Sequence, residues 1–537
     1  MAILAAHRLA ALQLAFTRGY EAHQQPQLAS LAICNSCREA VPIKLTFTDD
    51  MPLSLQALFF PSSATDQSNT TNATSCDGLS DGSALSATEC FACTPKVSPD
   101  PVSPKHPVSV SGKVSRCSRL AQYGRVSHVV WSGLTLFLEH IVMWPEGVDI
   151  LSFPNEFEEP IEGVNWPSGL RELVLKEGFD QSIVNIDWPK CLERISLGLS
   201  FNHPIEDARW PGALRYLNLG RSFNQPIERV VWPSGLREIR WGDAFDHPVE
   251  QVTWPEELEG IDFGNSFGQP VERMMLPAGM VYLDFGDLFD HPVEGLNWPA
   301  GVFALSFGRE FDHPVADTVW PTALTEVSFG YKFNQSLVGV QWPSSLRRVA
   351  LGFQFRQPLD NVQWPPDLQQ LSLGETFNLP IDGMFWPPGL TQLDLGDEFN
   401  QPLDNVAFPA GLETLYLSVF FDQPMDGVAL PEALREIDFG LSFNRPVDGI
   451  ALPRGLESMC FGRNFNQDVS RVQWPKGLLK VSFGRKFART LEGMQWPPPN
   501  LRLVELNSKY HALHPINPSI LPDGCCVIYG HASSSDY

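Results

Sequence analysis

WPGALRYLNLGRSFNQPIERVV, residues 210–231, runs without a break into WPSGLREIRWGDAFDHPVEQVT, residues 232–253. The two segments share a Trp-Pro start, a Gly at the eleventh position and a Phe at the fourteenth. Outward from them the pattern persists. Pro recurs every 22 residues from Pro145 to Pro497, and Phe recurs on the same period from Phe157 to Phe487, with no insertion or deletion between. A fixed short period of this kind marks a solenoid, in which each unit stacks on its neighbours.

The spacing within a unit sets its shape. Leu214, Leu217 and Leu219 fit a short strand whose alternate residues point inward. Gly220 ends that strand at a backbone position that disfavours a Cβ. Phe223, Ile227, Val230 and Trp232 form a second inward set. Most units carry two prolines on the return side, such as Pro226 and Pro233, which suit extended or irregular backbone rather than a helix. About seven apolar side chains per unit close no core alone, so stacking must bury them. The expected fold is a mainly β repeat solenoid of about 18 rungs, each with one short parallel strand and an irregular Pro-rich back.

The motif F-[ND]-x-P, followed by an aliphatic residue and usually an acid, stands as FNHPIE at 201–206, FNQPIE at 223–228, FNLPID at 377–382 and FNQPLD at 399–404. With the 22-residue period it resembles the FNIP repeat, a relative of leucine-rich repeats, over about 122–506. The resemblance implies a leucine-rich-repeat-like solenoid that binds other proteins. In some members such repeats follow an F-box or a kinase domain, and neither is visible in residues 1–120. The Trp-Pro dipeptide and many Val-for-Ile substitutions depart from the family pattern.

The chain of 537 residues is 43% hydrophobic and carries a net charge of −24, which excludes general disorder and opposes nucleic-acid binding. Residues 1–120 hold nine basic and nine acidic residues, so the entire excess of acid lies after them. The expected organisation is an N-terminal segment (1–60), a Ser/Thr/Pro-rich disordered linker (61–120), the solenoid (121–506) and a C-terminal cap and tail (507–537). The first twenty residues contain Arg8 and Arg18 but no acid, which fits organelle targeting, a signal peptide or a short amphipathic helix equally. No uninterrupted apolar stretch approaches the ~20 residues of a membrane span. The compartment stays open, with the cytoplasm slightly favoured, and so does the oligomeric state.

Several rows of the repeat carry polar chemistry. Cys34/Cys37 and Cys90/Cys93 are C-x-x-C pairs that offer four thiolates to zinc, but unpaired thiols are the blander reading across a Ser/Thr/Asn-rich separation. His203, His247, His291 and His313 share a row with Gln225, Gln269 and Gln335, which reads as a polar ladder rather than a metal site. Asn202, Asn224, Asp246 and their equivalents read as turn formers that bond their own backbone. An acidic row (Glu162, Glu206, Glu228, Glu250, Glu272, Glu294, Asp360, Asp382, Asp404, Asp426, Asp448, Glu492) fits either attraction of a basic partner or a solvated edge. The Phe and Trp ladders read as core, since Leu276, Phe408, Leu430 and Leu452 replace Trp in its row. Asn69-Thr70-Thr71 and Asn72-Ala73-Thr74 are sequons that matter only in a secreted chain.

The candidate binding surface is the exposed face of the strands, where varied residues stand against a constant frame. Glu172, Arg194, Tyr216, Glu238, Tyr282, Glu326 and Arg348 form one row; Asp262, Asp284, Asp394, Tyr416 and Asp438 form the next. The expected function is a non-enzymatic scaffold that binds a protein or peptide there, a basic one by charge, with no cofactor and no nucleic acid. The alternatives are an extracellular recognition rod, or an enzyme or metal protein built on the C-x-x-C pairs.

Overall fold

The computed structural model describes residues 147–491, 500–516 and 521–530, together with Trp144 and four earlier strands, Leu31–Ile33, Ala40–Pro42, Val108–Val110 and His128–Trp131. The C-x-x-C pairs, both sequons and the N-terminal basic-apolar segment lie outside the described residues, as does the expected linker apart from Val108–Val110.

Seventeen short strands, from Ile150–Ser152 to Leu503–Asn507, pair in parallel, each with the next rung. The register is fixed by the period: Leu217 lies opposite Ile239, and Ile239 opposite Ile261. His128–Trp131 precedes this series and pairs in parallel with Ile150–Ser152 and with Val108–Val110. Each strand has only three to five residues, but the ladder extends past its ends. The Leu219 amide donates to the Arg240 carbonyl (3.0 Å), and the Arg237 amide to the Arg215 carbonyl (2.9 Å).

The back of a rung is a chain of tight turns. Val230 N–H donates to Ile227 C=O (3.1 Å), and Leu236 N–H to Pro233 C=O (3.1 Å). In the second of these Pro supplies only the carbonyl, so its missing N–H costs nothing. Among the described residues the one helix is Tyr510–Leu513.

The core is the sequence pattern made solid. Leu214, Leu217, Leu219, Phe223 and Ile227 are fully enclosed, and Val230 and Trp232 nearly so. Leu173, Leu217, Leu283 and their equivalents point inward from the middle of each strand. Successive rings of the Phe ladder lie 6.0–6.5 Å apart, most of them nearly parallel. Strands hydrogen-bonded to one another are ~4.8 Å apart. Rungs related by translation alone would show one spacing everywhere. The wider spacing at Phe means that the rungs fan open away from the strands, so the strand face is the concave one.

The Gly row shows how tightly the rungs stack. A Cβ on Gly286 would sit 1.8 Å from the Gly264 carbonyl oxygen, and the Gly286 φ is +77°. No other side chain fits that backbone without moving the neighbouring rung.

Beyond residue 506 the exact period lapses but the path continues. Tyr510 stacks on Phe487 (5.8 Å between ring centroids), one residue late because WPPPN adds a residue. Cys526–Gly530 then pairs in parallel with Leu503–Asn507, and its free edge pairs antiparallel with Leu31–Ile33.

Candidate interaction surface

All twelve candidate residues lie on the strands at outward positions. Glu172, Arg194, Tyr216, Glu238, Tyr282, Glu326 and Arg348 are each the first residue of a strand; Asp262, Asp284, Asp394, Tyr416 and Asp438 are each the third. Residues two apart on a strand share a face, so the structure gathers both rows on the concave surface. Register places Glu172 beside Arg194, Asp262 beside Asp284, Glu326 beside Arg348, and Tyr416 beside Asp438.

The aspartates of the second row also have a local task. Asp262 Oδ1 accepts from Gly264 N–H (3.1 Å), Asp284 Oδ1 from Gly286 N–H (3.0 Å), Asp394 Oδ1 from Gly396 N–H (3.0 Å) and Asp438 Oδ1 from Gly440 N–H (2.9 Å). Asn218 does the same for Gly220 (2.9 Å). All five glycines have φ between +75° and +85°. A side-chain acceptor two residues ahead holds the left-handed turn that ends the strand. Where Tyr416 replaces the acid, Ser418 replaces the glycine.

Charge on this face is organised in two groups. In the first, the Arg194 guanidinium lies 4.0 Å above the Tyr216 ring and that of Arg240 5.9 Å from it. Arg240 Nε donates to Glu238 Oε1 (3.0 Å). Burial opposes the Arg240 charge, but Tyr216, Glu238 and Asp262 outweigh it and raise its pKa. Two rungs on from Arg240, Tyr282 Oη donates to Asp284 Oδ2 (3.0 Å). Burial, and then the Asp262 carboxylate, push Asp284 up to about 7. Asp262 is also raised by burial, with Arg240 opposing. Burial raises Tyr216, and raises Tyr282 well above the usual phenol value.

The second group surrounds Asp394, Tyr416 and Asp438. Burial raises both aspartates and takes Tyr416 to about 12, with Glu436 and Asp438 adding to it. Glu375, on the turn beside Asp394, is pushed up to about 7 by burial and then by Asp397 and Asp394. Between the groups Arg348 reaches Glu326 (3.4 Å), a carboxylate raised by burial and lowered in part by that arginine.

Other rows resolve into framework. The Asn/Asp row accepts hydrogen bonds from the next rung rather than from its own turn, as the Asn224 amide to Asn202 Oδ1 (2.9 Å) and the Asp422 amide to Asn400 Oδ1 (2.9 Å) show. Rungs stacked in register bring that N–H closer than any in the same turn. The row is interrupted at Gly268 and Arg356, which offer no such oxygen. The His/Gln row reaches back to the preceding carbonyl: His291 Nε2 lies 2.8 Å from Gly268 O, and Gln335 Nε2 donates to Asp312 O (3.0 Å). Gln fills this row by giving an N–H to a carbonyl, and His placed against the same carbonyl is a donor there rather than a ligand. No cluster of three metal-binding side chains occurs among the described residues.

The acidic row lies in the turns of the back, as at Glu206, Glu250 and Asp382, away from the strands. Glu492 is outside the described residues. The Trp ladder is packed against the core, and the indole Nε1 atoms of Trp232, Trp254 and Trp298 have no acceptor within the protein. The row therefore uses the indole for volume, which Leu also supplies.

One feature of the face has no periodic signature. On the turn that borders the strands, the Tyr331 and Phe353 rings stack at 4.3 Å, and the Arg309 guanidinium lies 4.7 Å over Tyr331. Elsewhere in that row stand Leu199, Arg221, Asp243 and Glu375, so composition gave no pattern to read.

Fold and register define a parallel β-solenoid of leucine-rich-repeat type. The FNIP repeat model matches residues 201–243, 245–288 and 377–420. The chain is thus an FNIP-repeat protein. It is similar to the circular leucine-rich-repeat protein CroV588, with 30% identity and a TM-score of 0.64 over 74% of this chain and 58% of that one. This chain therefore spans less than two thirds of CroV588. It also matches TLR13 in its complex with ssRNA13 (13% identity, TM-score 0.47, 67% of this chain and 60% of that one). A third match is an internalin from Listeria monocytogenes (14% identity, TM-score 0.37, 64% and 88%). A search of curated proteins found no match.

Proposed function

We propose that this protein is a non-enzymatic interaction scaffold that binds a protein or peptide on its concave strand face. The observation that carries the reading is the contrast between rows. Core positions stay apolar from rung to rung, Gly holds thirteen of the seventeen turn positions, and Asn or Asp holds twelve of the sixteen positions after the ladder Phe. The two outward strand rows vary freely among acids, bases, tyrosines and small residues. Solenoids commonly use such a curved surface for recognition.

The test is affinity capture with the full chain, in two variants. Arg194→Glu with Tyr216→Ala alters the strand face; Glu250→Gln with Asp382→Asn alters the back. The strand-face variant is expected to lose its captured partners and the back variant to keep them. The opposite result removes the strand face from the reading.

A further inference from the structure

The middle of the concave face differs from its two ends. From Ser306 to Ser372 the third strand position carries only Ser306, Ser328, Ala350 and Ser372. At the first position Glu326 and Arg348 pair with each other, so the floor there is neutral, and Glu326 is only 5% exposed. Small side chains let another backbone approach closely. Along one side the floor is bordered by the half-buried Tyr331–Phe353 stack. The acidic turn residues at the far end lie within electrostatic reach of the floor, since Asp394 adds to the burial that raises Glu375 and Asp397.

Each end of this trough holds a carboxylate beside a tyrosine. Asp284 stands at one end, with Tyr282 on its own strand and Asp262 one rung out. Asp394 stands at the other, with Tyr416 one rung out. One oxygen of each carboxylate is held by its glycine N–H and the other accepts from a hydroxyl, Tyr282 Oη at Asp284 and Ser372 Oγ at Asp394, and each oxygen retains a second lone pair. The five rung-to-rung steps from Asp284 to Asp394 correspond to roughly 24 Å at ~4.8 Å per strand. An extended chain covers that distance in about seven residues at ~3.3 Å each.

We propose that this trough binds an extended peptide that runs across the strands and places a Lys or Arg at each end, about seven residues apart. An apolar side chain between them packs on Tyr331 and Phe353. The inference rests on the strand-face reading above and adds to it the partner's chemistry and spacing. Charge complementarity selects the occupant. A second copy of this chain would bring its own −24 charge to two acidic ends. A free metal ion cannot bridge carboxylates so far apart.

The experiment uses the full chain and fluorescein-labelled peptides read by anisotropy. Each probe has two lysines separated by two, four, six, eight or ten Gly/Ser positions, with one central Leu. Affinity is expected to peak at six intervening residues. Asp284→Asn and Asp394→Asn should each weaken that peptide about tenfold and remove the optimum. Asn218 already caps Gly220 in the same row, so these variants keep the turn. Phe353→Ser should abolish the advantage of a central Leu over Ser. Equal affinity at every spacing, or indifference to both Asn variants, overturns the proposal. If the spacing optimum is absent but Arg194→Glu with Tyr216→Ala still alters peptide binding, the trough falls and the strand-face reading stands. If the chain self-associates through this face instead, the trough falls; if no strand-face variant matters, both fall.

Discussion

The interruption of the Asn/Asp row at Gly268 provides a perturbation whose sign is unusual: a repair. Where the row carries Asn or Asp, a side-chain oxygen receives the next rung's amide, as Asp246 Oδ1 receives Gly268 N–H (3.0 Å). Gly268 has no oxygen to give Asp290. Its φ is not in the left-handed region, and a Cβ there would meet nothing closer than the Leu288 carbonyl oxygen at 3.6 Å. Gly268→Asn should therefore fit and complete the row. Removing a glycine from a compatible backbone contributes about 0.4–1 kcal/mol through the unfolded chain. The new hydrogen bond contributes about 0.5–1.5 kcal/mol net. Gly268→Ala separates the two, because it gains the first term alone. Urea unfolding of both variants should rank them Asn, then Ala, then the parent chain, with about 1–2 kcal/mol between Asn and the parent. Hydrogen exchange at the Asp290 amide should slow in the Asn variant only. An Asn variant no more stable than the Ala variant would refute the claim that this row is held by bonds between rungs.

Three further outcomes are expected. Gly286→Ala should cost several kcal/mol and strip hydrogen-exchange protection from the neighbouring rungs, since its Cβ lands 1.8 Å from a carbonyl oxygen; Gly427→Ala, at φ +83° but in open space, should cost only about 1–2 kcal/mol. Asp284 titrates at about 7 folded against an ordinary 3.8, so the folded chain holds an extra proton between those values; stability from this group is full below 3.8 and is lost as pH rises through 7. Thermal melts at pH 6 and pH 8 should show Asp284→Asn gaining more at pH 8. Phe311→Ala, at a fully enclosed ring between Phe289 and Phe333, should cost about 3–5 kcal/mol by urea unfolding.

The fold was legible because its determinants repeat. A position that must be Phe in every rung, such as Phe157 through Phe487, announces both its burial and its spacing, and Gly220 and Gly286 announce a turn by the same means. Less of the surface was legible, for two different reasons. Asn224 was readable as a turn former bonding its own backbone, but a single rung cannot say whose N–H it serves; stacking decides that by bringing Asp246 N–H within 3.0 Å. Asp262-Phe263-Gly264 contains its own turn cap in plain order, yet variation along the row directed attention to recognition. Tyr331 and Phe353 were missed for the opposite reason: they are neighbours only across rungs, in a row whose other members are charged, amide or aliphatic.

The double role of the second strand row changes how its variation is to be understood. A cap needs one oxygen at the right distance from a glycine N–H, and Asn218 supplies it as well as Asp262 or Asp284 does. Stability of the turn therefore asks for Asn or Asp without distinguishing them. The choice of Asp at 262, 284, 394 and 438 adds a charge in buried surroundings that raise its pKa and so oppose its ionisation. Framework needs alone would favour the neutral amide, as in the Asn/Asp row of the back, where Asn is common. The concave face thus carries charge at a cost that its own turns do not require. A cationic partner offsets that cost by pairing with the carboxylates, so affinity and partner charge are linked: neutralising Asp284 stabilises the free chain while weakening the complex.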